Sequence, residues 1–452
     1  MRLKKILSSI TLGAFVYFCG YSPAFGADVP TNEELLKAIN ALKQIIQQQN
    51  KKIAELERKI SGHQEKIEKH SEVMEKERLQ DVSGKLKDEI ERLKNIGGLE
   101  MGAGVTFIGQ GTPNANNGEL TDGEDSRFDG NWSADVEIAK EFGDYGMAFL
   151  HMEAGQGNNV TDELTLFSNV NADATGAANL DIVEVWYEQY LFSRQLAITA
   201  GKIDATCYID TNEYANDECT QFLGDMFRNS AVIDWPDDNN WGARMYIAPE
   251  MFSFMDIEAL YMEEDGDWEN LFDNPFFAAQ VNLMPSKLFD YDEDMWGGNY
   301  RAYVWYNGAP HARIDAPSDI ERGNVGGGFS FDQKITDVYG IFGRFGWADS
   351  LRNNLEYDWS GGARIIGRYW NREDDVLSVA IGQAIPGKEY KDKNEFSRPE
   401  THVEAYYSFK VNEHLTLSPD MQIIWDANGG GVANRKDSDT IFIYGLRAQV
   451  DL

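Results

Sequence analysis

The stretch Thr401-His402-Val403-Glu404-Ala405-Tyr406-Tyr407-Ser408-Phe409-Lys410-Val411 decides the fold. Val403, Ala405, Tyr407, Phe409 and Val411 share one parity with Thr401, while His402, Glu404, Tyr406, Ser408 and Lys410 share the other. A two-residue period is that of a β-strand, whose side chains point alternately to its two faces. The next run repeats it: Leu415, Leu417, Met421, Ile423 and Trp425 alternate with Thr416, Ser418, Asp420 and Gln422. The last run sets Phe442, Tyr444, Leu446, Ala448, Val450 and Leu452 against Arg447, Gln449 and Asp451. Asn412-Glu413 is a tight connection between the first two runs.

The pattern extends upstream through residues 97–452. Outward faces are expected at Trp132, Ala134, Val136 and Ile138, and at Val183, Val185, Tyr187 and Leu191. Ala243, Met245 and Ile247 do the same around Arg244, and Ala363, Ile365, Gly367 and Tyr369 around Arg364 and Arg368. Aromatics near strand ends (Trp132, Phe192, Tyr407, Trp425) suit a membrane interface. Gly-, Asn- and Asp-rich stretches at 110–130, 155–180 and 427–439 read as long loops. Short turns on one side, long loops on the other and an apolar outer face describe an all-β transmembrane antiparallel barrel. A soluble sandwich would keep its outer face polar. Roughly 350 residues at about 22 per strand and loop give about sixteen strands. The negative mean hydropathy is no objection, because only alternate strand residues need be apolar.

Two segments precede the barrel. Arg2, Lys4 and Lys5, the apolar stretch Ile6 to Phe18, and small residues before Ala27 predict a signal peptide over 1–26. Beyond it, no run of about eighteen apolar residues remains to form a helical span. Residues 27–96 form an expected coiled-coil stalk: Ile39, Ile46, Ile53, Ile60, Ile67 and Met74 recur every seventh position, with Leu35, Leu42 and Leu56 on the second seam. Polar Gln49, His63 and His70 interrupt that seam as wet core layers rather than metal ligands. A single helix cannot bury such a stripe, so self-association into a homo-oligomer is expected. The stalk also suits a tether in the periplasm, toward peptidoglycan.

The chain has 75 acidic and 41 basic residues, a formal net charge of −34. That excludes nucleic acid as a partner. Acidic loops either keep a surface solvated or attract divalent cations and repel anionic solutes. Asp290-Tyr291-Asp292-Glu293-Asp294 resembles the start of a calcium loop, but Met295 stands where glycine is needed and Arg301 where the bidentate glutamate would be. Asp234, Asp237 and Asp238 around Pro236 read as an exposed or lumen-folded loop. Cys207 and Cys219 are a disulfide candidate in an oxidising compartment, or two free thiols. There is no G-x-S-x-G elbow or H-E-x-x-H pair. Neither enzyme activity, cofactor nor metal is expected.

Several segments resemble the carbohydrate-selective porins of the OprB type. They are Val185-Trp186-Tyr187-Glu188-Gln189, Gly201-Lys202-Ile203-Asp204, and Ile209 through Glu218 followed by Gln221-Phe222-Leu223. Gly346-Trp347-Ala348-Asp349, Arg372-Glu373-Asp374-Asp375, Pro419-Asp420 and Gly445 to Val450 follow in the same order. The resemblance implies a sixteen-stranded outer-membrane barrel passing sugars and similar solutes down a gradient. The stalk lies outside the family pattern, and Leu452 stands where an aromatic is usual.

Strand parity places Glu184, Trp186, Glu188, Arg244, Arg301, Trp305, Arg344, Arg364, Arg368, Trp370, Glu404 and Arg447 in the lumen as candidate solute contacts. Asp256, Glu258, Tyr303 and Lys410 share those faces. Charged groups against hydrocarbon cost up to a few kcal/mol, so they turn inward. A sugar offers hydroxyls to carboxylates and guanidinium groups, and a C–H face to an aromatic ring. The rival readings are an outer-membrane anchor working through the stalk, or a channel for a non-sugar solute.

Overall fold

The computed structural model describes residues 51–52, 98–116, 126–173, 175–237, 239–266, 270–395, 397–430 and 440–452. The expected signal peptide and, apart from helical Lys51 and Lys52, the expected stalk lie outside the described residues.

Alternation wraps into a closed antiparallel barrel of sixteen strands among the described residues. They are β1 (Leu99–Thr112), β2 (Arg127–Glu141), β3 (Gly146–Gly157), β4 (Thr175–Leu191), β5 (Leu196–Ile203), β6 (Asn240–Ile247), β7 (Met255–Glu263) and β8 (Pro275–Leu283). The second half comprises β9 (Gly298–Ala312), β10 (Ile320–Lys334), β11 (Tyr339–Ala348), β12 (Leu355–Gly367), β13 (Arg372–Pro386), β14 (Glu400–Lys410), β15 (Leu415–Trp425) and β16 (Ile441–Asp451). Each strand pairs with its sequence neighbours, and β1 pairs with β16 from Gly104↔Asp451 to Gly111↔Tyr444. Closure leaves no edge with unpaired backbone groups, which is what allows strands to sit in hydrocarbon.

The outward face is apolar, with Phe107 51%, Val304 63% and Met421 53% exposed in the isolated chain. Their neighbours of opposite parity are polar or aromatic and buried inside: Thr106, Tyr303, Asp420 and Gln422. Most connections at one end are short, at 142–145, 192–195, 335–338, 368–371 and 411–414, the exception being 284–297 with its two short helices. The opposite end carries the longer ones, including 113–126, 158–174 and 204–239. The expected loops at 110–130 and 155–180 are shorter than anticipated, because β1, β2, β3 and β4 run into them.

One outward assignment, Val183, and two inward ones, Arg368 and Trp370, need correction. A bulge in β4 pairs Glu184 with His151 and Ile182 with Met152, so Val183 is the extra residue. A bulge shifts parity by one, so Ile182 and Leu180 face out, and Val183 borders an internal cavity. Further on, β12 ends at Gly367, and a 3-10 turn carries Arg368–Trp370 to the short-turn rim. Arg368 pairs there with Asp337, and Trp370 Nε1 donates to the outward-facing Tyr407 hydroxyl at 2.8 Å.

Candidate functional site

The barrel does not enclose an empty tube. Two long-end connections fold inward and divide the lumen. The larger, 204–239, carries Ile209, Phe222, Met226, Phe227, Val232 and Ile233, all buried in one cluster with inward residues of β7 to β14. Apolar side chains in a loop must find cover from water, and here the inner wall supplies it. That wall is made to receive them. A Cβ on Gly346 would stand 2.1 Å from Ser230 Oγ, and one on Gly382 would stand 2.8 Å from Met226 Cγ. The smaller connection, 158–174, buries Val160, Leu164 and Val170 against Ile424, Ile441 and Ile443.

Inward polar residues tie both connections down. Arg344 donates to Phe227 O (2.7 Å), Asp210 O (3.1 Å) and Ala215 O (2.6 Å), and pairs with the Asp210 carboxylate at 3.2 Å. Glu404 accepts from Leu223 N at 2.6 Å and Gly224 N at 3.0 Å. Arg447 Nη1 donates to Glu218 O at 2.6 Å and Gln221 O at 2.8 Å. Asp358 receives Ser230 Oγ and Ala231 N. On the other side, Asp173 accepts from Asn131 Nδ2 at 2.8 Å and Ser133 Oγ at 2.6 Å, while Glu400 caps Phe167 N and Ser168 N. The two connections also meet, Ala172 N donating to Leu223 O and Asp225 N to Asn169 O.

These contacts revise the expected solute contacts. Arg344, Glu404 and Arg447 do point inward, yet they lie beneath segment 204–239 as its staples; Arg447 is 1% exposed. Trp305, 3% exposed, belongs to the apolar cluster, its ring seated over Gly326. Parity gives the face of a strand residue but not what covers it. Arg301 is likewise buried, paired with Asp332 at 2.6 Å. Arg244 bridges Glu188 (2.9 Å) and Glu258, and stacks on Tyr208 and Tyr246. Arg364 lies over the Tyr214 ring near the short-turn end. Arg368 and Trp370 are on the rim. Trp186 stacks on Phe149 at 5.0 Å and donates to Glu184; Glu184 lines the large inner cavity, as Arg364 lines a small one of 160 Å³. Of the two readings of Cys207 and Cys219, a disulfide or free thiols, the structure has the free thiols. Cys207 closes a 3-10 turn, and the Cys219 thiol turns toward Asp173, 3.9 Å from Oδ1.

Two cavities are lined by residues of both infolded segments. The outer one, of 240 Å³, is bordered by aromatic Phe167 and Trp235 and by Asn169, Asn229, Asp225 and Arg228. The inner one, of 770 Å³, reaches from the infolded segments to Gly102, Asp451 and Leu452 at the short-turn end. Arg228 borders both. Its Nε is 2.7 Å from Glu218 Oε2, and among the described residues its Nη groups make no hydrogen bond. Burial pushes the Glu218 carboxyl up to about 7, with Arg228 pulling it back. The inner wall takes Asp135 and Glu137 from β2, Glu153 from β3 and Glu184 from β4. The infolded segments add Asp173, Asp204, Asp217 and Glu218, and the chain end adds Asp451. Arg228 was missed from the sequence because loop residues carry no parity; the apolar pairs Phe222-Leu223 and Met226-Phe227 beside it were the available sign.

The fold matches Pseudomonas putida OprB, solved at high pH, with a TM-score of 0.67, 16% identity, and coverage of 82% of this chain and 97% of that one. The low-pH structure of the same protein matches with a TM-score of 0.49 at 12% identity, over 82% of this chain and 97% of that one. An uncharacterized protein of Aquifex aeolicus (strain VF5) is 24% identical over 239 residues, 52% of this chain and 60% of that protein's length. The family model described as carbohydrate-selective porin, OprB family, matches residues 121–452. The chain therefore belongs to the OprB family of carbohydrate-selective porins.

Proposed function

We propose that this protein is an outer-membrane channel through which small polar solutes, sugars foremost, diffuse passively. The apolar outer face and the closed ladder suit a lipid bilayer, with the short turns toward the periplasm as such barrels have them. The observation that carries the solute class is the outer cavity. Aromatic Phe167 and Trp235 stand beside the amides of Asn169 and Asn229 and the Asp225–Arg228 charges. Ring faces take the C–H side of a sugar; amides, carboxylate and guanidinium take its hydroxyls. Swelling of proteoliposomes in isosmotic sugars tests this. Monosaccharides should enter readily and longer oligosaccharides progressively more slowly. Liposomes that stay inert to every sugar would contradict the reading.

The heptads of residues 27–96 support a periplasmic stalk that joins protomers, with a contact to peptidoglycan as a further role. The stalk lies outside the described residues, and its support is the sequence pattern alone.

A further inference from the structure

We propose that the channel sorts solutes by charge, passing neutral polyols and cations and turning back sugar acids and sugar phosphates. Arg228 and the inner-cavity carboxylates are the selecting groups. This rests on the reading of the chain as an open channel. The two cavities differ in kind. The outer one has mixed sign, with Asp225 and Arg228 among amides and aromatics. The inner one sets nine carboxylates against two basic groups, Arg228 and His151. Each basic group already has a partner: Arg228 Nε is 2.7 Å from Glu218, and His151 Nε2 is 2.9 Å from Asp135. Glu137, Glu153 and Asp204 face the cavity with no cation paired to them among the described residues.

A confined wall of one sign focuses its field and raises the local concentration of opposite charge by about 10 to 10³. Rings of carboxylates select cations in channels for the same reason. Among the described residues no group of three side chains is placed to coordinate a metal. The effect proposed is a field acting on passing ions rather than a binding site. Arg228 sets the entry step. Its Nη edge belongs to a residue that borders both cavities, and offers two donor groups to neighbouring hydroxyls of a neutral sugar. An anion drawn to the same edge must give it up to a chamber of carboxylates, and returns.

Planar-bilayer recording of the full-length protein across a tenfold KCl gradient tests the proposal. At 10–100 mM salt the reversal potential should have the sign of cation preference. Glu137→Gln with Glu153→Gln should move it toward zero, and Arg228→Gln should move it further toward the cation limit. Should the double variant fail to insert, the wild type at 1 M KCl serves instead, since a Debye length of about 3 Å should collapse the preference. Liposome entry of glucose should exceed that of glucuronate by about tenfold or more at low salt, the two converging at high salt. Anion preference, or a reversal potential indifferent to both the substitutions and salt, would overturn the proposal. Absence of any current would overturn the channel reading beneath it as well.

Discussion

Replacing Arg344 by methionine should open the channel without unfolding the barrel. The guanidinium is fully buried, pairs with an equally buried Asp210 carboxylate, and donates to three carbonyls of segment 204–239. Breaking one half of such a buried pair costs about 3–5 kcal/mol, mostly because the other half is left uncompensated. The orphaned carbonyls lie on the same segment, so their cost of about 1–3 kcal/mol each is not simply additive. None of these groups belongs to the strand ladder. The loss therefore falls on the docking of the segment, and at about 1.4 kcal/mol per tenfold it raises the undocked population by roughly two to three and a half powers of ten. Single-channel conductance should rise, and a protease should cut within 204–239 of the membrane-embedded protein, where the wild type resists. The barrel should keep its β-sheet circular dichroism. An unchanged conductance together with an unchanged digestion pattern would refute the idea that Arg344 holds a constriction.

Four further outcomes follow from the same geometry. Gly346→Val should resemble the Arg344 variant, since its Cβ would overlap Ser230 Oγ and Asp358 Oδ1, and conductance reads it. The Glu218 carboxyl, raised above its ordinary 4.5 to about 7, keeps a proton in the folded protein that the unfolded chain releases. The stability this contributes is present below about 4.5 and lost as pH rises through about 7. In the channel, lowering pH from 8 to 6 neutralises Glu218, leaves Arg228 without its counter-charge and weakens cation preference. Glu218→Gln should remove part of that step in the reversal potential, with Asp173, pushed up to about 6 by burial, among the carboxylates that supply the rest. Thiol titration of unreduced protein in denaturant should find Cys207 and Cys219 both reactive. A peptide of residues 31–95 should be helical and oligomeric by circular dichroism and analytical ultracentrifugation, and a monomeric coil would end the stalk proposal.

The barrel was legible because lipid and water impose opposite demands on adjacent residues. Tyr407 and Phe409 face out while Glu404 and Tyr406 face in, as the alternation required. Where a strand carries a bulge, as at Val183, parity misleads from that point on. Where it stops, at Gly367, parity no longer applies: Asn371, at φ 59°, closes a turn that leaves Arg368 and Trp370 on the rim. The pathway itself was hidden for another reason. Period two separates inside from outside but does not report that a loop will cover the inside. Segment 204–239 announced its burial through closely spaced apolar residues, and β10 to β13 through inward glycines such as Gly326, Gly346 and Gly382. These are long-range complementarities, visible only once both partners are in place. Hence the inward Arg344, Glu404 and Arg447 read as solute contacts when they are fasteners.

The central claim is that solutes pass between the two infolded segments at Arg228. The most direct measurement is single-channel current through Arg228→Cys in a background with Cys19, Cys207 and Cys219 replaced by serine, before and after a bulky charged thiol reagent. Modification should cut the conductance sharply, while Ala380→Cys, buried beneath the segment, should respond far more slowly. A current untouched by modification at position 228 would place the pathway elsewhere.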